Sequence, residues 1–84
     1  MDLFQQRRAL GQRVALLRKE RHLTQARLAL MAGMNEGYLC DFENGKANIS
    51  IDKLFKLAEA LDVHAQDLFE PAQDETASSG TVAI

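Results

Sequence analysis

Apolar side chains recur at helical spacing along nearly the whole chain, and no stretch alternates with a period of two. This pattern builds amphipathic helices and excludes a sheet with one buried face. The helices it permits are short, because capping chemistry interrupts the pattern repeatedly. Thr24, Asn35 and Ser50 each stand just before an apolar-periodic run, where a side-chain oxygen can accept an orphan backbone N–H. Gly33 follows the second run, where a tight turn needs positive φ, and Gly45 ends the third.

An all-α fold of five helices is therefore predicted. The first runs from about Leu3 to Arg21 and turns Leu10, Val14 and Leu17 inward. The second follows Thr24, buries Leu28, Ala29 and Ala32, and ends at Gly33. The third spans Glu36 to Asn44. The fourth follows Ser50 with Ile51, Leu54, Phe55, Ala58 and Leu61 inward. A short last helix covers Ala65 to Phe69 before Pro71 forbids continuation. From Pro71 the sequence PAQDETASSGTVAI is small and polar, with too little apolar area to order itself. The expected organisation is a folded unit over 1–70 and a disordered tail over 71–84.

A chain of 84 residues buries only about 60% of its unfolded surface, which leaves little room for a deep catalytic pocket. One cysteine excludes an internal disulfide framework and fits a reducing cytosol. No apolar run approaches the ~18 residues of a membrane span, and Asp2 without an early basic region speaks against a signal peptide. The formal net charge of −2 conceals an asymmetry. Up to Arg27, seven basic residues face only Asp2 and Glu20; beyond it, Lys46, Lys53 and Lys56 face ten acids. A basic end and an acidic end are averaged in that figure. On charge alone, a solvated basic helix and a cationic binding surface both remain open.

The most specific arrangement lies in the second and third helices. Two short helices joined by a three-to-four-residue turn containing glycine describe a helix-turn-helix. Their steep, close crossing needs a small residue in the middle of the first, here Ala29, and Gly33 supplies the turn four residues later. Tyr38, Leu39 and Phe42 supply the apolar side that holds the next helix at its angle. At 100° per residue, the opposite side presents Glu36, Gly37, Cys40, Asp41 and Asn44. A glycine at 37 costs roughly 1 kcal/mol relative to alanine. It suits either a backbone that another molecule approaches closely or a neutral exposed position.

The stretch from Leu10 to Phe69 resembles the lambda repressor/Cro-like helix-turn-helix family, also called the XRE family. The likeness rests on LGQRVALLRKERHLTQARLALMAG, then YLCDFENGKANIS, then LFKLAEALDV and DLF. It implies five helices, a homodimer and sequence-specific binding to a pseudo-palindromic site in double-stranded DNA, with the third helix in the major groove. Glu36 and Gly37 match positions that often read bases, and Cys40 and Asp41 complete the candidate base-contacting set. A carboxylate can accept a hydrogen bond from cytosine N4, but it gains little in a phosphate-lined groove without cations nearby. Arg13, Arg18, Arg27 and Lys46 are the candidate cations.

Gln25 matches a glutamine that clamps the DNA backbone at the start of the second helix, where free N–H groups and the helix dipole favour phosphate. Arg18, Thr24, Arg27, Asn35, Asn44, Lys46 and Asn48 complete the phosphate-contacting set that the resemblance implies. Arg27 departs from the family pattern, which favours acids in that turn. Arg18 and Glu43 match a salt bridge between the first and third helices. Val63, Leu68 and Phe69 are more apolar than a short terminal helix needs, and the family commonly pairs there, so they form the expected dimer interface.

No catalytic or metal-binding constellation competes with this assignment. His22 and His64 lie far apart, and no Cys/His/Asp spacing resembles a metal site. His64 stands where the family prefers a serine cap, so it is expected to substitute as the cap. The neighbouring acids Glu36, Asp41 and Glu43 disfavour a redox role for Cys40. No Ser/His/Asp grouping, glycine-rich phosphate loop or isolated carboxylate pair points to an enzyme, and neither cofactor nor metal is expected. The expectation is a cytoplasmic homodimeric transcriptional regulator of repressor or controller type. Its occupancy would be set by its own concentration or by a protein partner, such as a toxin or polymerase. The alternatives are an antitoxin or other protein-binding module, and an adaptor that has lost DNA binding.

Overall fold

The computed structural model describes residues 2–69, and the tail expected over 71–84 lies outside them. The first helix, α1 (Leu3–Glu20), opens on a capping box. Asp2 Oδ1 accepts the Gln5 N–H at 2.7 Å, and Gln5 Oε1 accepts the Asp2 N–H at 3.1 Å. Three further helices, α2 (Gln25–Ala32), α3 (Glu36–Glu43) and α4 (Ile51–Leu61), each begin behind a short polar cap. Thr24, Asn35 and Ser50 accept the backbone N–H of Arg27, Tyr38 and Lys53 respectively. Gly33 closes α2 at φ 72°, and the non-glycine residues His22 and Asp62 take the same left-handed backbone after α1 and α4. The fifth element, Ala65–Phe69, is a single 3-10 helix. Its entry is held by Asp67 Oδ2, which accepts the His64 backbone N–H at 3.1 Å. The aspartate therefore does the capping, and His64 does not serve as the substitute cap.

The helices meet around one core. α2 packs against both α3 and α4, while α1 closes over α3 and the 3-10 helix. Val14, Leu28, Leu39, Leu57, Leu61 and Leu68 are fully buried, with Phe42 at 2% exposure. Two expected core residues are not there: Ile51 is 64% exposed and Phe55 is 52% exposed. The buried stripe of α4 is Leu54, Leu57, Ala58 and Leu61, which follows helical i, i+3, i+4, i+7 spacing. Ile51 stands at the open end of the helix, and Phe55 lies about 100° off the stripe. Leu10 is half-buried at the core's edge. Leu68 also departs from expectation, because its complete burial beneath α1 and α4 removes it from any pairing surface.

Two arginines of the basic segment serve this framework. Arg21 Nε donates to the Leu61 carbonyl at 2.7 Å, and Arg13 Nε donates to the Asp67 carbonyl at 3.0 Å. Each tethers α1 to the C-terminal part of the fold through carbonyls with free lone pairs. A third device is a missing side chain. A Cβ at Gly11 would collide with the Phe42 carbonyl oxygen and lie 2.8 Å from Glu43 Cα. The end of α3 therefore rests directly on the backbone of α1.

Candidate nucleic-acid interface

The exit of α3 is fixed by one buried carboxylate. Glu43, 6% exposed, receives Arg18 Nε on Oε2 at 2.8 Å and Arg18 Nη2 on Oε1 at 3.1 Å. The same Oε1 receives Gln25 Nε2 at 2.8 Å, and Arg18 Nη1 donates to the Leu23 carbonyl at 2.8 Å. A bidentate guanidinium and an amide from two different helices thus converge on the last residue of α3. Burial makes the arrangement costly to break, since an uncompensated charge in the interior is strongly unfavourable.

This network changes the part played by two residues of the expected phosphate set. The Arg18 side chain is only 10% exposed and three of its N–H donors are taken by Glu43 and Leu23, so it braces the scaffold. Gln25 is half-buried, and its amide nitrogen is spent on Glu43. What α2 keeps for an anion is the backbone at its start. The first helical bond there is made by Leu28 and the cap bond by Arg27, which leaves the N–H groups of Gln25 and Ala26 ahead of both. Of the cations assigned to phosphate, Arg27 and Lys46 are exposed, and among the described residues their side chains make no hydrogen bond or ion pair. Thr24 and Asn35 use their side-chain oxygens as caps, and Asn44 Nδ2 donates to the Cys40 carbonyl at 2.9 Å.

On the outward side of α3, the side chains of Glu36 and Asp41 carry no such commitment among the described residues. Glu36, Gly37 and Asp41 are exposed and Cys40 is half-buried. Cys40 Sγ meets Asn44 Nδ2 at 3.7 Å. Nothing inside the protein requires glycine at 37, where a Cβ would meet only Asn35 Oδ1 at an ordinary 3.6 Å. The opposite side is anchored: Leu39 and Phe42 enter the core, and half-buried Tyr38 donates its hydroxyl to the Asn48 carbonyl at 2.6 Å. Lys53 Nζ lies 5.1 Å from the centre of the Tyr38 ring, so the first turn of α4 as well as the segment before it is tied back to α3. Among the described residues no group of His, Cys, Asp or Glu is placed to hold a metal ion, and no helix is long and apolar enough to cross a membrane.

Sequence reasoning passed over Gly11 and the inward role of Gln25. A glycine inside a helix gains meaning only when a second backbone lies against it. A first-turn glutamine reads equally well as a clamp or as an internal donor.

A short helix whose outer face is unencumbered, carried on a locked partner helix, defines a helix-turn-helix DNA-binding unit. Known proteins show the same arrangement. The family profile described as helix-turn-helix matches residues 14–68. The uncharacterized HTH-type transcriptional regulator y4dJ of Sinorhizobium fredii is 37% identical over 70 residues, covering 83% of this chain and 90% of the relative. The crystal structure of the restriction-modification controller protein C.AhdI from Aeromonas hydrophila superposes with a TM-score of 0.79 at 35% identity, covering 82% of this chain and 100% of that one. SinR, a master regulator for biofilm formation solved in complex with DNA, superposes with a TM-score of 0.67 at 37% identity, covering 73% and 98% respectively. The chain belongs to the helix-turn-helix family of lambda repressor-like, DNA-binding transcriptional regulators.

Proposed function

We propose that this regulator is a cytoplasmic homodimeric repressor or controller-type protein that acts by binding, without catalysis, on a pseudo-palindromic operator. The observation that carries the reading is the division of α3 into two sides. Leu39, Phe42 and Glu43 are buried and fix its angle, whereas Glu36, Gly37 and Asp41 are exposed and make no internal side-chain bond. Glu43 is neutralised within the fold by Arg18, so only two of the three α3 acids face outward. Selection of bound sequences from random duplex DNA tests the proposal. The expected product is an inverted repeat with half-sites about one helical turn apart, ~34 Å. A pool without enrichment overturns it.

Within that operator Glu36 is the expected base reader. Glu36→Gln should change the preferred base at one position per half-site by about 1–3 kcal/mol of discrimination. The same selection run on the variant checks this, and an unchanged operator removes Glu36 from the reading set.

Pairing is assigned to apolar surface left open by the last two helices. Phe69 is 63% exposed beside half-buried Val63, while α4 exposes Ile51 and Phe55 one turn apart on one face. A two-fold DNA site requires a self-complementary surface of this kind. Sedimentation without DNA at concentrations on the order of tens of micromolar should show a dimer. A monomer under those conditions counts against the assignment. A protein partner has one observation in its favour: α2 exposes adjacent Leu30 and Met31, at 71% and 46%, with no use in the fold. A short toxin-like frame beside the gene would identify that partner as a toxin.

A further inference from the structure

α1 begins well before the family profile does. The match starts at residue 14, and the helix starts at Leu3. Its first turns lie beside the DNA-reading elements. At Gly11 the helix backbone meets the end of α3, and at Arg8 it meets the residue that follows α3 and its cap. A Cβ at Gly45 would lie 3.0 Å from Arg8 Cα and Cβ and 3.1 Å from Arg8 N. Gly45 has φ 78°, and its neighbour Lys46 is tied to α3 through its backbone N–H, which donates to the Asp41 carbonyl at 2.8 Å.

Arg8 is exposed, and among the described residues its side chain, like that of Lys46, makes no hydrogen bond or ion pair. Arg7 is half-buried and lines an apolar groove with Leu10 and Ile49, so the two adjacent arginines are differently employed. By contrast Arg13, Arg18 and Arg21 all donate to groups within the fold. Among the described residues nothing claims the Arg8 charge, and its backbone lies against the loop that follows the reading helix.

We infer that Arg8 binds a backbone phosphate of duplex DNA beyond the edge of each half-site, forming with Lys46 a cationic ridge that lengthens the DNA contact past α3. The inference rests on the proposed operator binding. Its chemistry is that of a phosphodiester: a guanidinium offers paired N–H donors to phosphate oxygens and carries no base preference. The first turns of α1 thus act as a clamp on flanking DNA, and they leave the choice of sequence to α3.

The test uses the whole chain and a duplex carrying the selected inverted repeat, with affinity followed by fluorescence anisotropy across salt concentrations. Arg8→Ala should lower the slope of log affinity against log salt by about one unit per protomer. Between 50 and 200 mM salt this makes the fall in affinity about 3.5-fold shallower for each protomer bound. Arg8→Lys should retain most of the slope. Lys56→Ala removes the same charge from the exposed side of α4, and it should leave the slope close to that of the wild type. Trimming the duplex outside the half-sites should weaken the wild type but not Arg8→Ala. Melting temperature is measured alongside and should stay unchanged, since the Arg8 side chain supports nothing internal. If the wild type binds the repeat and Arg8→Ala shows the same slope and the same sensitivity to trimming, the clamp is overturned while operator binding stands. If the wild type binds no duplex, operator binding itself falls, and the clamp falls with it.

Discussion

Gly11→Ala is expected to lower the melting temperature by about 12–24 °C, the reverse of what helix propensity alone would give. Inside a helix, alanine normally gains about 1 kcal/mol over glycine. At position 11 the new methyl would meet the Phe42 carbonyl oxygen and the backbone of Glu43, neither of which can rotate aside. Overpacking a core costs about 1–3 kcal/mol when side chains can adjust, and a backbone obstacle puts this case above that range, leaving about 3 kcal/mol after the propensity gain is subtracted. For a domain of this size each kcal/mol moves the melting temperature by about 4–8 °C. Gly37→Ala is the matched control. Its Cβ would meet nothing closer than 3.6 Å, so it should stabilise the fold by about 0.5–1 kcal/mol. Thermal melts of the two variants should move in opposite directions. A Gly11→Ala protein as stable as the wild type would mean that α1 and α3 do not lie this close.

The second large effect is expected at the buried network. Arg18→Ala leaves Glu43 with Gln25 as its one remaining side-chain donor, at 6% exposure. Breaking a buried ion pair from one side costs about 3–5 kcal/mol. Since small domains hold only about 5–15 kcal/mol in total, much of the reserve should go. Denaturant midpoints measure the loss, and DNA affinity should fall with it because α3 loses its mount. Replacing both partners, as Arg18→Met with Glu43→Leu, should recover most of the stability, since no orphaned charge is left behind. A double variant no better than Arg18→Ala would place the cost in packing rather than in charge.

The sequence announced the elements wherever a local rule is sufficient. Thr24, Asn35 and Ser50 are short polar residues ahead of apolar runs, and each accepts the N–H three residues on. Gly33 needed only the length of the turn to be placed. What failed depended on contacts between distant segments. Ile51 and Phe55 fit an apolar helix pattern, but α4 has more apolar surface than the core can cover, and only packing decides which side is left out. Leu68 read as surplus because the depth of the space beneath α1 and α4 is not written in its neighbours. In the site, the pairing of Arg18 with Glu43 was legible through the family resemblance, and their separation of 2.8 Å gives that pairing its geometry. The inward turn of Gln25 was not legible, because an amide serves a phosphate or a buried carboxylate with the same group.

The two sides of α3 also differ in what later substitutions would do. Changes at Leu39, Phe42 or Glu43 disturb the core or its buried charge, whereas surface changes free of such contacts usually shift stability by no more than about 0.5 kcal/mol. Glu36 and Asp41 fall in the second group, and Gly37→Ala moves stability only upward. On the proposed reading of the operator by α3, a lineage carrying this scaffold can exchange its operator for another by drift at a few surface positions, without a compensating change elsewhere. Its target would then diverge faster than its fold.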